Sequence, residues 1–139
     1  MISSIRSYFV SRIAECYPDK FQIDDPIGED DLSRNDADNG YKIIFGATTG
    51  FLTGQSYGNT IPLEVHLFKK SGLETTEPFD SLYEEAIDIK NRVLNPTLAK
   101  NSLVFNDIEF LSIAPSALQS DDKIYKMILT FNLRIDFSF

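Results

Sequence analysis

The last seventeen residues, KIYKMILTFNLRIDFSF, impose the strongest constraint on what this chain can become. Tyr125, Met127, Leu129, Phe131, Leu133, Ile135, Phe137 and Phe139 all fall on odd positions, with mostly polar residues between them. A period of two marks a β-strand with one face in a core and the other more polar. From Tyr125 to Phe139 it is roughly 50 Å long at about 3.4 Å per residue. Strands usually hold about 3–10 residues. So long an apolar edge demands either a bend around the chain's own core or contact with a second molecule.

Two helices are available to cover it. Ile5, Phe9, Ile13 and Cys16 recur at helical spacing and predict a helix over Ser4–Tyr17, capped by Ser3 or Ser4 and ended by Pro18. Leu82, Ala86, Ile89 and Val93, supported by Phe79 and Tyr83, predict a second from Pro78 or Ser81 to Leu94, with Ser81 and Glu84 as a capping box. Helices of about 14 residues are near 21 Å long and cannot shelter a 50 Å strand.

Between these elements, YKIIF (41–45) and IPLEVHLF (61–68) read as strands. In the second, Ile61, Leu63, Val65 and Leu67 face one way; Glu64 and a half-exposed His66 face the other. Segment 103–114 reads as a strand whose alternation slips, and a bulge between Asp107 and Phe110 reconciles its two parities. The fold class that follows is α+β: a mixed, mainly antiparallel sheet with two amphipathic helices on one face, in the order α-β-β-α-β-β, and a largely polar opposite face. Residues 1–139 form one domain.

Two connections stand out. Residues 18–40 make an acidic loop in which Asp24, Asp25, Glu29, Asp30, Asp31, Asp36 and Asp38 face few bases; it suits a rim or channel lining that repels polyanions, or simply a solvated loop. Residues 46–60, GATTGFLTGQSYGNT, carry no charge and read as a hairpin arm or a broken strand pair.

The formal charge of -8 argues against a surface that grips duplex DNA. Cys16 is the single cysteine, so no internal disulfide forms; no stretch reads as a signal peptide or membrane span, which points to a protein made in a reducing cytoplasm. No catalytic or cofactor pattern emerges. His66 is the lone histidine, the Gly/Thr-rich segment lacks the phosphate-loop lysine, and NDADNG fails the calcium-loop spacing. The expectation is no enzyme, no cofactor and no metal.

The pieces IRSYFVSRIAECY, YKIIFG, IPLEVHLFKK, FDSLYEEAIDIKNRVLN, FNDIEFLSIAPSALQ and KIYKMILTFNLRIDFSF lie in an order similar to that of bacteriophage tail terminator (tail-completion) proteins. IEFLSIAP followed by YKMILTFNLRI is the strongest local likeness, and the acidic segment 24–38 departs from the pattern. The resemblance implies a homohexameric ring at the head-proximal end of the virion tail. One face binds the tail tube protein and stops its growth, and the other docks a head-completion or connector protein. Genome DNA passes through without specific binding, and no membrane is involved. Leu133, Ile135, Phe137, Phe139, Phe51, Leu52 and Tyr57 are the expected subunit or partner contacts. A head-to-tail connector or neck protein, a sheath-end protein, and a cytoplasmic ligand-binding module are the alternatives.

Overall fold

A computed structural model describes residues 2–23, 39–53, 56–70, 77–95, 107–117 and 124–138. Helix α1 (Ile2–Cys16) precedes strands β1 (Phe21–Gln22), β2 (Gly40–Phe45), β3 (Thr49–Thr53) and β4 (Ser56–Lys70). Helix α2 (Glu77–Val93) and strands β5 (Asp107–Ala117) and β6 (Ile124–Ser138) complete the order. The six strands form one sheet in the order β1-β2-β4-β6-β5, and β3 also pairs with β4. All pairs are antiparallel except β1 with β2. The expected α+β class therefore holds, with β1 and β3 as additions to the expected order.

The final strand is unbroken over 15 residues, and β4 matches it residue for residue from Ser56↔Ser138 to Lys70↔Ile124. The odd face of both strands forms the core. Ile61, Leu63, Val65, Leu67, Leu129, Phe131 and Leu133 are fully buried there, with Met127 nearly so. Ile5, Phe9 and Ile13 of α1 and Leu82, Ala86, Ile89 and Val93 of α2 close over that face. Phe9 meets the Phe131 ring edge-on at 5.3 Å, and Phe110 does so at 5.6 Å. Each such side chain withdrawn from water contributes about 1.5–3 kcal/mol.

Alternation in β5 is repaired by a bulge, as expected, but one step later. Register shifts between Phe110↔Phe131 and Ser112↔Thr130. Leu111 is the extra residue and is 51% exposed; Ile108, Phe110 and Ile113 are thereby brought to the core side. The strand also runs past residue 114, its expected end, to Ala117 through Pro115; an edge strand tolerates a proline.

Three further expectations are corrected. α2 begins at Glu77, so Ser81 lies inside the helix and caps nothing; its hydroxyl accepts a hydrogen bond from Lys69 Nζ at 2.8 Å. Tyr83 is half exposed and lies outside the buried stripe. The sheet's far face is polar at many positions but not open: His66 is 6% exposed and Phe68 fully buried, with Lys42 and Lys126 also buried. These residues sit on the central strands as cross-strand neighbours, Lys42 with His66 and Phe68 with Lys126, where adjacent side chains screen one another.

Candidate assembly surface

Among the described side chains of β6, the last buried one is Ile135, 8% exposed. Beyond it β4 and β6 continue, and β3 joins them as a third strand. β2 and β3 occupy the same flank of β4 in succession, because β6 fills the other flank along the whole strand. Residues 46–48 connect them. There Gly46 N–H donates to Pro62 C=O at 2.7 Å. A Cβ at Gly46 would stand 3.0 Å from the Pro62 Cβ, so any larger residue there must push Pro62 aside, and the close approach favours glycine.

Register carries the apolar face outward. Gly50, Asn59 and Ile135 form one cross-strand row, and Leu52, Tyr57 and Phe137 form the next on the same side of the sheet. Leu52 is 75% exposed, the most exposed large hydrophobic residue among those described. For Phe51, Tyr57 and Phe137 the backbone alone is described, and Phe139 lies outside the described residues. Leu133 and Ile135, also expected at an interface, belong to the chain's own core. The structure therefore divides the expected contact set: two residues inside, Leu52 outside.

The seven expected rim acids, Asp24, Asp25, Glu29, Asp30, Asp31, Asp36 and Asp38, lie outside the described residues; the residues that flank their segment pair with one another. β1 pairs with β2 through Phe21↔Gly40 and Gln22↔Tyr41, and Ile23 N–H donates to Tyr41 C=O at 2.8 Å. Lys20 Nζ donates to Asn39 Oδ1 at 3.2 Å, and Asn39 Nδ2 to the Asp19 carbonyl at 3.1 Å. Lys20 Nζ also stands 3.1 Å from Glu85 Oε2 on α2, with its side chain 2% exposed. Burial lowers the Lys20 pKa, and Glu85 pulls it back toward the charged form. Residues 24–38 hold seven carboxylates against Arg34 alone, six of the eight net negative charges, and they leave and re-enter the fold at one point. Lys20, Asn39 and Glu85 were not singled out by sequence: the ion pair joins positions 65 apart, and no periodicity links them.

On the helix side, α1 and α2 are laced by polar groups. Tyr8 Oη donates to the Val93 carbonyl at 2.8 Å, satisfying one of the open carbonyls at the end of α2. Arg92 Nε donates to Glu15 Oε2 at 2.6 Å, and Tyr17 Oη to Asp88 Oδ2 at 2.5 Å. Cys16, Tyr17, Asp88, Asn91, Arg92 and Asn95 line a shallow open depression. Burial and the Asp88 charge push the Cys16 thiol up, which keeps it protonated and a poor nucleophile. Burial first, then the Asp88 hydrogen bond, pushes the Tyr17 phenol up. These groups fasten one helix to the other and converge on no vacant reacting position. His66 Nε2 pairs with Glu64 Oε1 at 2.8 Å on the sheet. Among the described residues no group of three or more His, Cys, Asp or Glu is placed to hold a metal ion, and no helix is long and apolar enough to cross a membrane.

No family model matches the chain, and no curated protein matches it. Among solved structures, the fold is similar to a chain in the "Virion of native gene transfer agent (GTA) particle". The two are 9% identical, the likeness covers 93% of this chain and 92% of that one, and the TM-score is 0.48. So loose a likeness carries no argument about what this chain does.

Proposed function

We propose that this chain is a structural virion protein whose copies form a ring, a hexamer, on the end of the tail tube. The ring ends tube polymerisation and offers its other face to the head connector. One observation carries the reading: the core side of the sheet continues past Ile135 to a row containing Leu52, which is exposed. A chain built this way completes its core side by contact. The order of elements noted above, similar to that of tail terminators, supplies the kind of assembly.

Mechanism in such a protein is adhesive and steric. The neutral arm, residues 46–60, is the part of an acidic molecule that approaches another acidic copy with least repulsion. The acidic segment gathers charge in one place, and a ring multiplies it into a negative collar. Its field acts on DNA phosphates within about 8 Å at physiological salt, which favours passage over adhesion.

Electron microscopy of particles assembled without this protein tests the reading. Overlong or heterogeneous tails are the expected result. Normal tails on intact filled heads would overturn it, and leaking heads beside free tails of correct length would assign the chain to the head-side connector instead.

A further inference from the structure

Among the described residues the sheet's edge strands are β1 and β3 on one flank and β5 on the other: β1 pairs with β2 alone, β3 with β4 alone, and β5 with β6 alone. Native edge strands are normally protected from pairing with other chains by charges, proline or bulges. β3, Thr-Gly-Phe-Leu-Thr, carries none of these. β5 carries Asp107, Glu109 and the Leu111 bulge at its beginning, and Pro115 later; from Phe110 to Ala117 it is uncharged.

We infer that the β3 edge of one copy pairs with the Ser112–Ser116 stretch of β5 in the next, continuing the sheet from copy to copy. This rests on the ring reading and specifies its contact. Direction is the first support. β3 runs opposite to β4, β4 opposite to β6, and β6 opposite to β5, so β3 and β5 point in opposite senses on opposite flanks. The two stretches differ in height: β3 lies level with Arg134–Ser138 of β6 and Ser112–Ser116 with Lys126–Thr130, eight residues along the strand. The contact therefore requires strands steeply tilted to the ring axis, as in a sheared barrel; β3 then meets a neighbour's β5 antiparallel, the more stable ladder. Edges that differ in this way make a head-to-tail contact, which closes into a ring when the rotation divides a full turn.

Residue matching is the second support. Aligning the centres of the two stretches places Thr49 opposite Ser116, Gly50 opposite Pro115, Phe51 opposite Ala114, Leu52 opposite Ile113 and Thr53 opposite Ser112. Every pair shares a sheet face. Leu52 and Ile113 belong to the helix side, through Leu52↔Tyr57↔Phe137 and Ile113↔Leu129; Phe51 and Ala114 belong to the other, through Phe51↔Gly58↔Asp136 and Ala114↔Ile128. Hydroxyl pairs stand at both ends, an apolar pair sits on the core side, and Phe51 meets the small Ala114. Such pairs stabilise antiparallel ladders. Neutrality is the third support: neither stretch adds charge to the meeting of two chains of net charge -8.

Cysteine cross-linking of the full chain tests this pairing in a Cys16→Ser background. Leu52→Cys and Ile113→Cys are made as separate proteins, mixed, and oxidised mildly. Phe51→Cys with Ala114→Cys forms a second set, because alternate antiparallel pairs have Cα atoms about 4.5 or 5.5 Å apart. Both spacings lie inside the roughly 4.4–6.8 Å that a disulfide spans. The expected result is a covalent dimer in the mixture and none from either protein alone, and a ladder of linked copies when both cysteines share one chain. A dimer from Leu52→Cys or Phe51→Cys alone would show β3 pairing with itself and overturn the inference. Absence of cross-links from both sets would overturn it too; if native mass still shows an oligomer, the ring reading survives with a different contact. Normal tails without the protein, alongside positive cross-links, would instead overturn the ring's proposed task while the pairing stands.

Discussion

The two ends of the β4–β6 pair have the same backbone and opposite circumstances. From Ile61 to Leu67, each core-side residue of β4 is fully buried under α1 and α2. From Ser56 to Thr60 the same strand continues in unbroken register, yet its outer neighbour β3 displays Leu52 at 75% exposure. The first half owes its shape to burial. The second is joined by the backbone ladders of β3 with β4 and β4 with β6, and a ladder of hydrogen bonds gives only about 0.5–1.5 kcal/mol per bond net. One half is a finished core; the other, on the proposed reading, is completed by a second copy.

The largest expected effect separates the halves by stability. Phe131→Ala removes a fully buried ring packed against Phe9 and Phe110, and is expected to cost about 3–5 kcal/mol in denaturant unfolding. A cost under about 1 kcal/mol would mean the core is looser than its burial states. Gly46→Val attacks the junction. The added side chain meets Pro62 at the kink between β2 and β3, and the expected loss is about 1–3 kcal/mol, with the arm displaced. Retention of full stability would show that the two strands do not pinch there.

An alkaline titration concerns the covered half alone. Tyr8, Tyr17 and Tyr41 have phenols pushed up, each chiefly by burial. Above about pH 10 the unfolded chain releases these protons while the folded chain keeps them, so stability falls as pH rises further. Tyr17→Phe is expected to make that decline shallower, read as the slope of unfolding free energy against pH. An unchanged slope would discount the Asp88 contact. Smallest of all is Leu52→Asp: unfolding free energy of the isolated chain is expected to shift by less than about 0.5 kcal/mol, because the site is exposed.

Sequence periodicity revealed the covered half well. Ile5, Phe9 and Ile13, the stripe Leu82, Ala86, Ile89 and Val93 of α2, and Met127, Leu129, Phe131, Leu133 and Ile135 of β6 all repeat at spacings that a buried face requires, and all are buried. It revealed the arm less completely. The hairpin was one of two expectations for residues 46–60, but nothing in their pattern told that β4 begins at Ser56 and runs 15 residues in register with β6. Threonines and glycines give no hydrophobic alternation, so pairing there follows from the neighbouring strand. The closed base of the acidic segment was equally hidden, since Lys20 and Glu85 meet only after α2 docks. His66 was misplaced as half exposed because alternation shows which face a residue takes, not how crowded that face becomes.

Native mass in solution, measured by light scattering over a wide range of concentration, tests most directly the claim that this sheet is completed by copies of itself. The account predicts that the wild-type chain forms a closed oligomer and that Leu52→Asp remains a folded monomer. A wild-type chain that stays monomeric and folded at the highest concentrations would contradict it.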